Sequence, residues 1–228
     1  MLMCIVLFYL LLLLLVLTGC GVSEPMEDAS ILPVQAVPES EPAPMPEPEA
    51  ADFVRVQEYL PDILVDLKYA GAENFTGQAV YDFTDAYLRY GTVQKLSSAL
   101  DILMDQGYTL LIWDAFRPTQ AQFRLWEICP DPVYVANPET GFSSHSRGNT
   151  VDLTLAALDG EPVEMPTDFD DFSPLADRDY NDASPEAAAN ARLLDDVMTV
   201  CGFRPYSGEW WHFSDTDEYP VEETLSPD

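Results

Sequence analysis

The chain has 228 residues and a formal net charge of −30, with 40 acidic residues against 10 basic ones. Once an N-terminal targeting segment and a linker are set aside, the remainder suits one globular domain and leaves no room for a second catalytic domain. Affinity for nucleic acids depends mainly on Lys and Arg that neutralise phosphates, so the acidic balance argues against a nucleic-acid partner. Such a charge is typical of a solvated surface and does not identify a substrate.

The N-terminus has the features of a targeting signal. Residues 1–17 form an apolar run of the length found in signal peptides. The next residues complete Leu17-Thr18-Gly19-Cys20, which resembles the lipobox of bacterial lipoproteins. We therefore expect a signal peptide at 1–19 and a lipidated Cys20 that anchors an extracytoplasmic protein to the bacterial cell membrane. No Lys or Arg precedes the apolar run, so an uncleaved membrane anchor is the alternative.

A linker is predicted to follow Cys20 and to reach residue 50. Its composition is rich in Pro, Glu and Ala, and every second residue from Pro42 to Pro48 is a proline. Such a segment buries too little apolar surface to offset its chain entropy, so we expect an extended, disordered spacer. The globular domain is then predicted to occupy residues 51–228.

The first half of this domain shows alternating and helical apolar patterns. Alternation over 63–69 predicts a strand. Apolar residues at helical spacing predict a helix with Thr92 as its cap and Gly107 after its end. The apolar run 108–113 predicts a central strand, and a helix is expected over 119–128.

The second half continues the mixture of strands and helices. Residues 151–155 alternate as a strand, and Ser184 followed by Pro185 predicts the start of a helix that runs to Cys201. A last strand is predicted at 210–213. Because the order lacks a strict strand–helix–strand rhythm, we predict an α+β fold with one central antiparallel or mixed sheet flanked by helices.

Two cysteines lie in the domain, at Cys129 and Cys201. An exported protein could pair them, but each is equally plausible as a small buried residue, so the sequence assigns no disulfide.

Both histidines of the chain lie near acidic residues. His145 precedes Asp152 by seven positions, and Glu209 precedes His212 by three. Two imidazoles and one carboxylate leave a tetrahedral zinc ion one open position, which is typical of catalytic rather than structural zinc. Hydrolysis also needs a group that takes the proton of the attacking water, and Glu209 is the obvious candidate.

Each of these clusters is a weak signal alone, because a lone His is more often a hydrogen-bonded surface or core residue than a ligand. In an ideal strand, residues three apart point to opposite faces. Glu209 and His212 can therefore share a site only if Glu209 lies in a turn before the strand, which Gly208 makes plausible.

Six stretches of the domain together resemble the D-alanyl-D-alanine dipeptidases, zinc peptidases related to the D,D-carboxypeptidases. They occur in the family's order and span nearly the whole domain: Val65-Asp-Leu-Lys-Tyr-Ala70, Asn74-Phe-Thr-Gly77, Trp113-Asp-Ala-Phe-Arg-Pro118, Ser143-Ser-His-Ser-Arg-Gly148, Val151-Asp-Leu-Thr-Leu155 and Glu209-Trp-Trp-His212.

This resemblance implies a role for each of eight residues. The implied zinc ligands are His145, Asp152 and His212, and the implied general base is Glu209. Arg117 would stabilise the negative charge that develops on the scissile carbonyl oxygen. The implied substrate-binding residues are Tyr69, Ser143 and Asp170, of which Asp170 would pair with the free ammonium of a dipeptide.

The resemblance implies hydrolysis of D-alanyl-D-alanine or similar short D-amino-acid dipeptides with one zinc ion, linked to turnover of cell-wall peptides. One alternative keeps the zinc and makes the protein a D,D-carboxypeptidase or endopeptidase that acts on peptidoglycan stem peptides. Another is a catalytically silent lipoprotein that binds the wall or a partner with the same fold.

Overall fold

A computed structural model describes residues 47–132 and 134–227. The predicted signal peptide, Cys20 and most of the predicted linker lie outside the described residues. Within those two ranges, no helix is both long enough and apolar enough to cross a bilayer.

The described residues form seven strands in two sheets. The strands are β1 (Phe53–Arg55), β2 (Leu64–Val65), β3 (Tyr87–Arg89), β4 (Tyr108–Asp114), β5 (Thr150–Ala157), β6 (Phe203–Pro205) and β7 (His212–Asp215). β1 and β3 pair antiparallel, and the main sheet has the order β2-β4-β5-β7-β6. β2 runs parallel to β4 and every other pair of the main sheet is antiparallel, so the predicted mixed sheet is confirmed.

Four α-helices and three short 3₁₀ turns complete this part of the chain. The helices are α1 (Val56–Tyr59), α2 (Tyr90–Met104), α3 (Thr119–Ile128) and α4 (Pro185–Val200). The 3₁₀ turns are Lys68–Ala70, Ser144–Arg147 and Pro174–Ala176. α2 packs on β4, α4 packs on β5 and β6, and the two helices contact each other. The α+β prediction is therefore confirmed.

The alternation of β5 separates the core from the site. Leu153 and Leu155 pair with Ile112 and Leu110 of β4, and all four are at most 1% exposed. Successive side chains of a strand point to opposite faces, so Asp152 points away from these leucines. The central strand thus supplies both the apolar core and one acidic side chain on the other face.

Several predicted elements are confirmed with small changes at their ends. The predicted strands 108–113 and 151–155 are the centres of β4 and β5, and α3 has the predicted bounds. α4 begins as expected, because Ser184 Oγ accepts a hydrogen bond from Ala187 N at 3.0 Å. Cys129 and Cys201, whose pairing the sequence left open, are both free thiols.

The predicted strand 63–69 is wrong beyond Val65. After β2 the chain turns through Lys68–Ala70, and the Asn74 side-chain amide donates to the carbonyls of Lys68 and Gly71 at 2.9 Å each. These bonds satisfy the backbone within a turn, where no neighbouring strand continues the ladder. Tyr69 is buried, as the alternating pattern predicted, but it is buried within the turn and not in a strand.

The predicted cap of α2 is also wrong, and so are the bounds of the last strand. α2 begins at Tyr90, and Thr92 Oγ1 donates instead to Asp215 Oδ2 of β7 at 2.8 Å. The strand predicted at 210–213 is shifted to His212–Asp215, because His212 N donates back to Glu209 O at 3.3 Å. A contact between distant parts of the chain decides the first case, and a local turn decides the second.

Gly148→Ala is expected to destabilise the fold next to His145. Gly148 has a φ of +73°, and a Cβ there would lie 2.2 Å from Cε1 of Phe53. Positive φ and overpacking together should lower the free energy of unfolding by about 2 kcal/mol or more. Urea denaturation measures this loss.

The matched control is Gly71→Ala, because a Cβ at Gly71 meets nothing within 4 Å. We expect its free energy of unfolding to stay within about 0.5 kcal/mol of the wild type. Equal stability of both variants would show that the contact with Phe53 does not constrain the turn.

Candidate metal centre and active site

Three side chains from distant parts of the chain meet beside the main sheet. His145 Nε2 lies 3.3 Å from Asp152 Oδ2, and His212 Nδ1 lies 3.0 Å from Asp152 Oδ1. The two ring nitrogens are 3.4 Å apart. Among the described residues, these form the one group of three or more His, Cys, Asp or Glu side chains that could hold a metal ion, with ligand atoms within 4.8 Å of one another.

The sheet register brings two of the three together. Asp152 of β5 is paired directly with His212 of β7, so both side chains project from the same face of the sheet. Asp152 is 3% exposed. An antiparallel pair of strands thus converts a separation of 60 positions in the chain into direct contact.

His145 reaches the same point from the Ser144–Arg147 turn. Ser143 Oγ caps this turn by accepting a hydrogen bond from His145 N at 3.3 Å. His145 Nδ1 donates to the carbonyl of Ala115 at 2.8 Å, which fixes the ring and leaves Nε2 free to bind a metal. His145 is 1% exposed, so the sheet and the turn hold the imidazole in one orientation.

The donor set fits a zinc ion. Nitrogen and carboxylate oxygen donors in this number are typical of catalytic zinc. Asp152 Oδ1 is buried yet receives no hydrogen bond of acceptable geometry, although His212 Nδ1 lies near it. A buried oxygen without a donor is costly, and a bound cation would satisfy it.

Glu209 lies beside these three residues in the turn before β7. Its Oε2 is 3.6 Å from His212 Nδ1, and its backbone N donates to Tyr206 O at 3.4 Å. Because Glu209 lies in this turn and not in a strand, the side chains of Glu209 and His212 do not point to opposite faces. Burial and the negative charge of Asp152 raise the pKa of the Glu209 carboxyl. A raised pKa brings a carboxylate closer to the range in which it exchanges protons at neutral pH.

Arg117 is a buried residue with three side-chain partners. Its Nη2 and Nε donate to Asp114 Oδ2 at 2.7 and 3.2 Å, and its Nη1 donates to Gln122 Oε1 at 3.2 Å. Its guanidinium lies 5.1 Å from the ring centre of Tyr69. Burial opposes the charge, but the neighbouring acidic groups, Asp114 foremost, together outweigh it and raise the pKa of Arg117 further above its usual value. The guanidinium is therefore a fixed positive charge.

Sequence reasoning missed Asp114, which organises this part of the site. Asp114 is fully buried and also accepts hydrogen bonds from Tyr81 OH at 2.7 Å and from Ala115 N at 2.9 Å. A charged residue that ends an apolar strand, three positions before an arginine, is the signal that would have identified it.

Asp170 and Tyr69 form the end of the site away from the histidines. Tyr69 OH donates to Asp170 Oδ1 at 3.2 Å, and Phe75 N donates to Asp170 Oδ2 at 3.5 Å. Asp170 has a φ of +57°, which is rare for a residue other than glycine and common at functional positions. Burial and the charge of Asp152 raise the pKa of Asp170 to about 7.

One cavity of about 340 Å³ contains all eight residues predicted to act in catalysis or binding. Its walls also include aromatic residues that the sequence did not identify. Two of them, Tyr134 and Phe172, come from separate loops and contact each other with ring centres 4.5 Å apart. The cavity therefore combines an acidic, metal-binding floor with aromatic walls.

This cavity suits acyl hydrolysis. It holds a candidate metal cluster, a carboxylate that can move protons and a guanidinium that can stabilise an oxyanion. These features define the class as a metal-dependent peptidase.

Comparisons with known proteins identify the family. A family profile described as D-ala-D-ala dipeptidase matches residues 49–226. The D-alanyl-D-alanine dipeptidase of Escherichia coli K12 is 38% identical over 165 residues, which cover 72% of this chain and 85% of that protein. The D-alanyl-D-alanine dipeptidase of Enterococcus faecium is 36% identical over 189 residues, which cover 74% and 94%. The chain belongs to this family of peptidases.

A solved structure, that of VanYB in complex with D-alanine-D-alanine, has a TM-score of 0.39 against this chain and 18% sequence identity. The match covers 58% of this chain and 73% of VanYB.

His212→Ala and His145→Ala are each expected to abolish tight zinc binding. Loss of a residue that only orients a ligand weakens metal affinity by about 10- to 100-fold, so loss of a ligand should exceed about 100-fold. Competition with a chelator measures the affinity, and circular dichroism shows whether the fold is intact.

Asp168→Asn is the control for these variants, because Asp168 is an exposed acid outside the cavity. Its zinc affinity should equal that of the wild type. Unchanged affinity in both histidine variants would place the zinc elsewhere.

Proposed function

We propose that this protein hydrolyses D-alanyl-D-alanine or similar short D-amino-acid dipeptides in a zinc-dependent reaction. One observation carries the proposal: the same cavity holds the His145–Asp152–His212 cluster and the half-buried carboxyl of Asp170. A metal ion held by the cluster would bind the scissile carbonyl, and the carboxylate of Asp170 would pair with a free ammonium. A dipeptide presents both groups close together.

Zinc at the cluster would polarise the scissile carbonyl and lower the pKa of a water molecule. Glu209 accepts the proton of that attacking water and delivers it to the leaving amine. Its place in the turn, 3.6 Å from His212 Nδ1, keeps the carboxylate next to the reacting groups.

Arg117 stabilises the negative charge that develops on the carbonyl oxygen. Asp114 and Gln122 hold the guanidinium in one orientation, so little reorganisation is needed when the charge forms. This interaction is stronger in the transition state than in the ground state, and it therefore raises kcat.

Asp170 selects substrates with a free amino terminus. Tyr69 OH holds one carboxylate oxygen of Asp170, and the ammonium of the substrate pairs with the charge. A peptide whose amino group is blocked leaves the half-buried carboxylate of Asp170 without a cationic partner, which costs binding free energy. The cavity therefore favours dipeptides over longer wall peptides.

For the N-terminus we propose a lipoprotein signal at 1–19 and a lipidated Cys20. The lipobox-like Leu17-Thr18-Gly19-Cys20 and the Pro-rich stretch before residue 51 support this proposal. The domain would then lie outside the cytoplasm, tethered to the bacterial membrane, where the hydrolysis of short D-peptides contributes to turnover of cell-wall fragments.

Glu209→Gln is expected to lower kcat for D-alanyl-D-alanine by about 10²- to 10⁴-fold, because the amide cannot accept the proton of water. Zinc content and melting temperature should stay close to the wild type. Release of free D-alanine measures the rate, and Glu218→Gln, at an exposed position, is the control. Wild-type activity in Glu209→Gln would remove Glu209 from the mechanism.

Asp170→Asn is expected to raise KM for the dipeptide by about 10- to 100-fold, the value of a charged hydrogen bond. The pKa of Asp170 is raised to about 7, so its carboxylate is present above that pH and neutral below it. KM of the wild type should therefore rise as the pH falls below about 7, and this rise should vanish in Asp170→Asn.

Comparison of the dipeptide with an N-acetylated tripeptide that ends in D-Ala-D-Ala separates the dipeptidase from the carboxypeptidase. Cleavage of the blocked peptide alone by the wild type would overturn the dipeptidase proposal. Cleavage of neither substrate by the zinc-loaded protein would favour a catalytically silent wall-binding protein.

Cys20→Ser is expected to abolish incorporation of a labelled fatty acid when the full chain is expressed in bacteria. Cys4→Ser, in the predicted signal peptide, is the control and should leave the label in place. A label that persists in Cys20→Ser would contradict lipidation at this residue.

A further inference from the structure

A half-buried arginine outside the cavity joins both ends of the loop that carries Glu209. Arg178 Nε donates to the carbonyl of Tyr206 at 2.7 Å, and its Nη2 donates to the carbonyl of His212 at 2.8 Å. The side chain of Arg178 is 11% exposed; its bond to His212 is partly buried, and its bond to Tyr206 lies at the surface. One guanidinium therefore spans the neck of the loop 206–212.

The neck is the point where the ladder between β6 and β7 ends. The last pair of these strands is Pro205 with Phe213, and one further bond runs from Tyr206 N to His212 O at 3.1 Å. Beyond it the strands separate, and Arg178 supplies the next cross-link. The same segment of chain also contacts the far side of the loop, because Trp210 N donates to Ala176 O at 2.9 Å.

Arg178 is itself held in place by two neighbours. Its Nη1 lies 3.2 Å from Asp195 Oδ1 of α4, and its guanidinium lies 4.4 Å from the ring centre of Phe213. Two residues further on, Tyr180 has a φ of +57°, a conformation that persists only where the surroundings enforce it. The segment that presents Arg178 is therefore strongly constrained.

We propose that Arg178 is a positioning residue for the hydrolysis, which fixes Glu209 relative to His212 through the backbone at both ends of their loop. This inference rests on the proposed function. Arg178 does not line the cavity, so it acts without touching the substrate. A displacement of about 1 Å between reacting groups can cost about 10²-fold in rate, so a fixed neck has a direct effect on kcat.

Three variants test this role in the zinc-loaded protein with D-alanyl-D-alanine. Arg178→Gln should lower kcat by about 10- to 100-fold, as loss of a residue that orients catalytic groups does. KM should change by less than about threefold, because Tyr69 and Asp170 lie on other segments of the chain. Arg178→Lys should recover only part of the rate, because an ammonium lacks the planar fork that reaches both carbonyls.

Arg204→Gln is the matched control, since Arg204 is an exposed arginine on β6 of the same hairpin. Its kcat and KM should equal those of the wild type. If Arg178→Gln does not fold, the split between kcat and KM in Arg178→Lys decides the question. Wild-type kcat in a folded Arg178 variant would overturn the proposal.

Two measurements without substrate keep this test independent of the proposed function. Because Arg178 bonds to the carbonyl of His212, Arg178→Gln should weaken zinc affinity by about tenfold. It should also shift the visible spectrum of the protein loaded with Co²⁺, which reports the geometry of the metal ligands. A wild type that cleaves no dipeptide would refute the proposed function alone. Unchanged zinc affinity and cobalt spectrum in Arg178→Gln, with only a lower melting temperature, would make Arg178 a purely structural residue.

Discussion

The pairing of Asp152 with His212 across β5 and β7 is the interaction on which the rest of the site depends. It places a carboxylate and an imidazole on one face of the sheet, with Oδ1 and Nδ1 3.0 Å apart. A slip of one residue in this register would turn one of the two side chains to the opposite face. The adjacent pair of these strands, Val151 with Phe213, is fully buried and fixes the same register, so it protects the candidate metal centre.

The other candidate catalytic groups are joined to this pair through buried polar contacts. His145 is oriented by the carbonyl of Ala115, whose neighbour Asp114 holds Arg117. One short stretch at the end of β4 therefore sets the direction of an imidazole and of a guanidinium together. Buried ion pairs contribute little net stability, but removal of one partner leaves an unpaired charge in the interior.

The sequence predicted elements well where local chemistry determines them. α4 begins at Ser184 and Pro185 as expected, because the cap and the fixed φ of proline act within a few residues. The strand over 63–69 was predicted too long, since alternation reports burial and carries no information on whether a neighbouring strand is present. Thr92 was wrongly predicted as a cap. Its actual partner, Asp215, lies more than a hundred positions away, so the local pattern does not reveal the bond between them.

The same distinction applies to the site. The candidate metal ligands and the candidate general base occur in short motifs, so His145, Asp152, Glu209 and His212 could be named from the sequence. Asp114 was missed because its role depends on burial, which only the packed structure reveals. Arg178 was missed for the same reason, and no motif connects it to the loop 206–212.

The aromatic walls of the cavity have a consequence for how the substrate range can evolve. Tyr134 and Phe172 come from two loops outside the main sheet, whereas the candidate metal ligands lie on β5, on β7 and in the turn before β5. Substitutions in these loops can widen or narrow the chamber without disturbing the strand register that holds the hydrolytic groups. Selection for substrates with bulkier or smaller side chains can therefore change the residues of the cavity walls while the hydrolytic reaction stays the same.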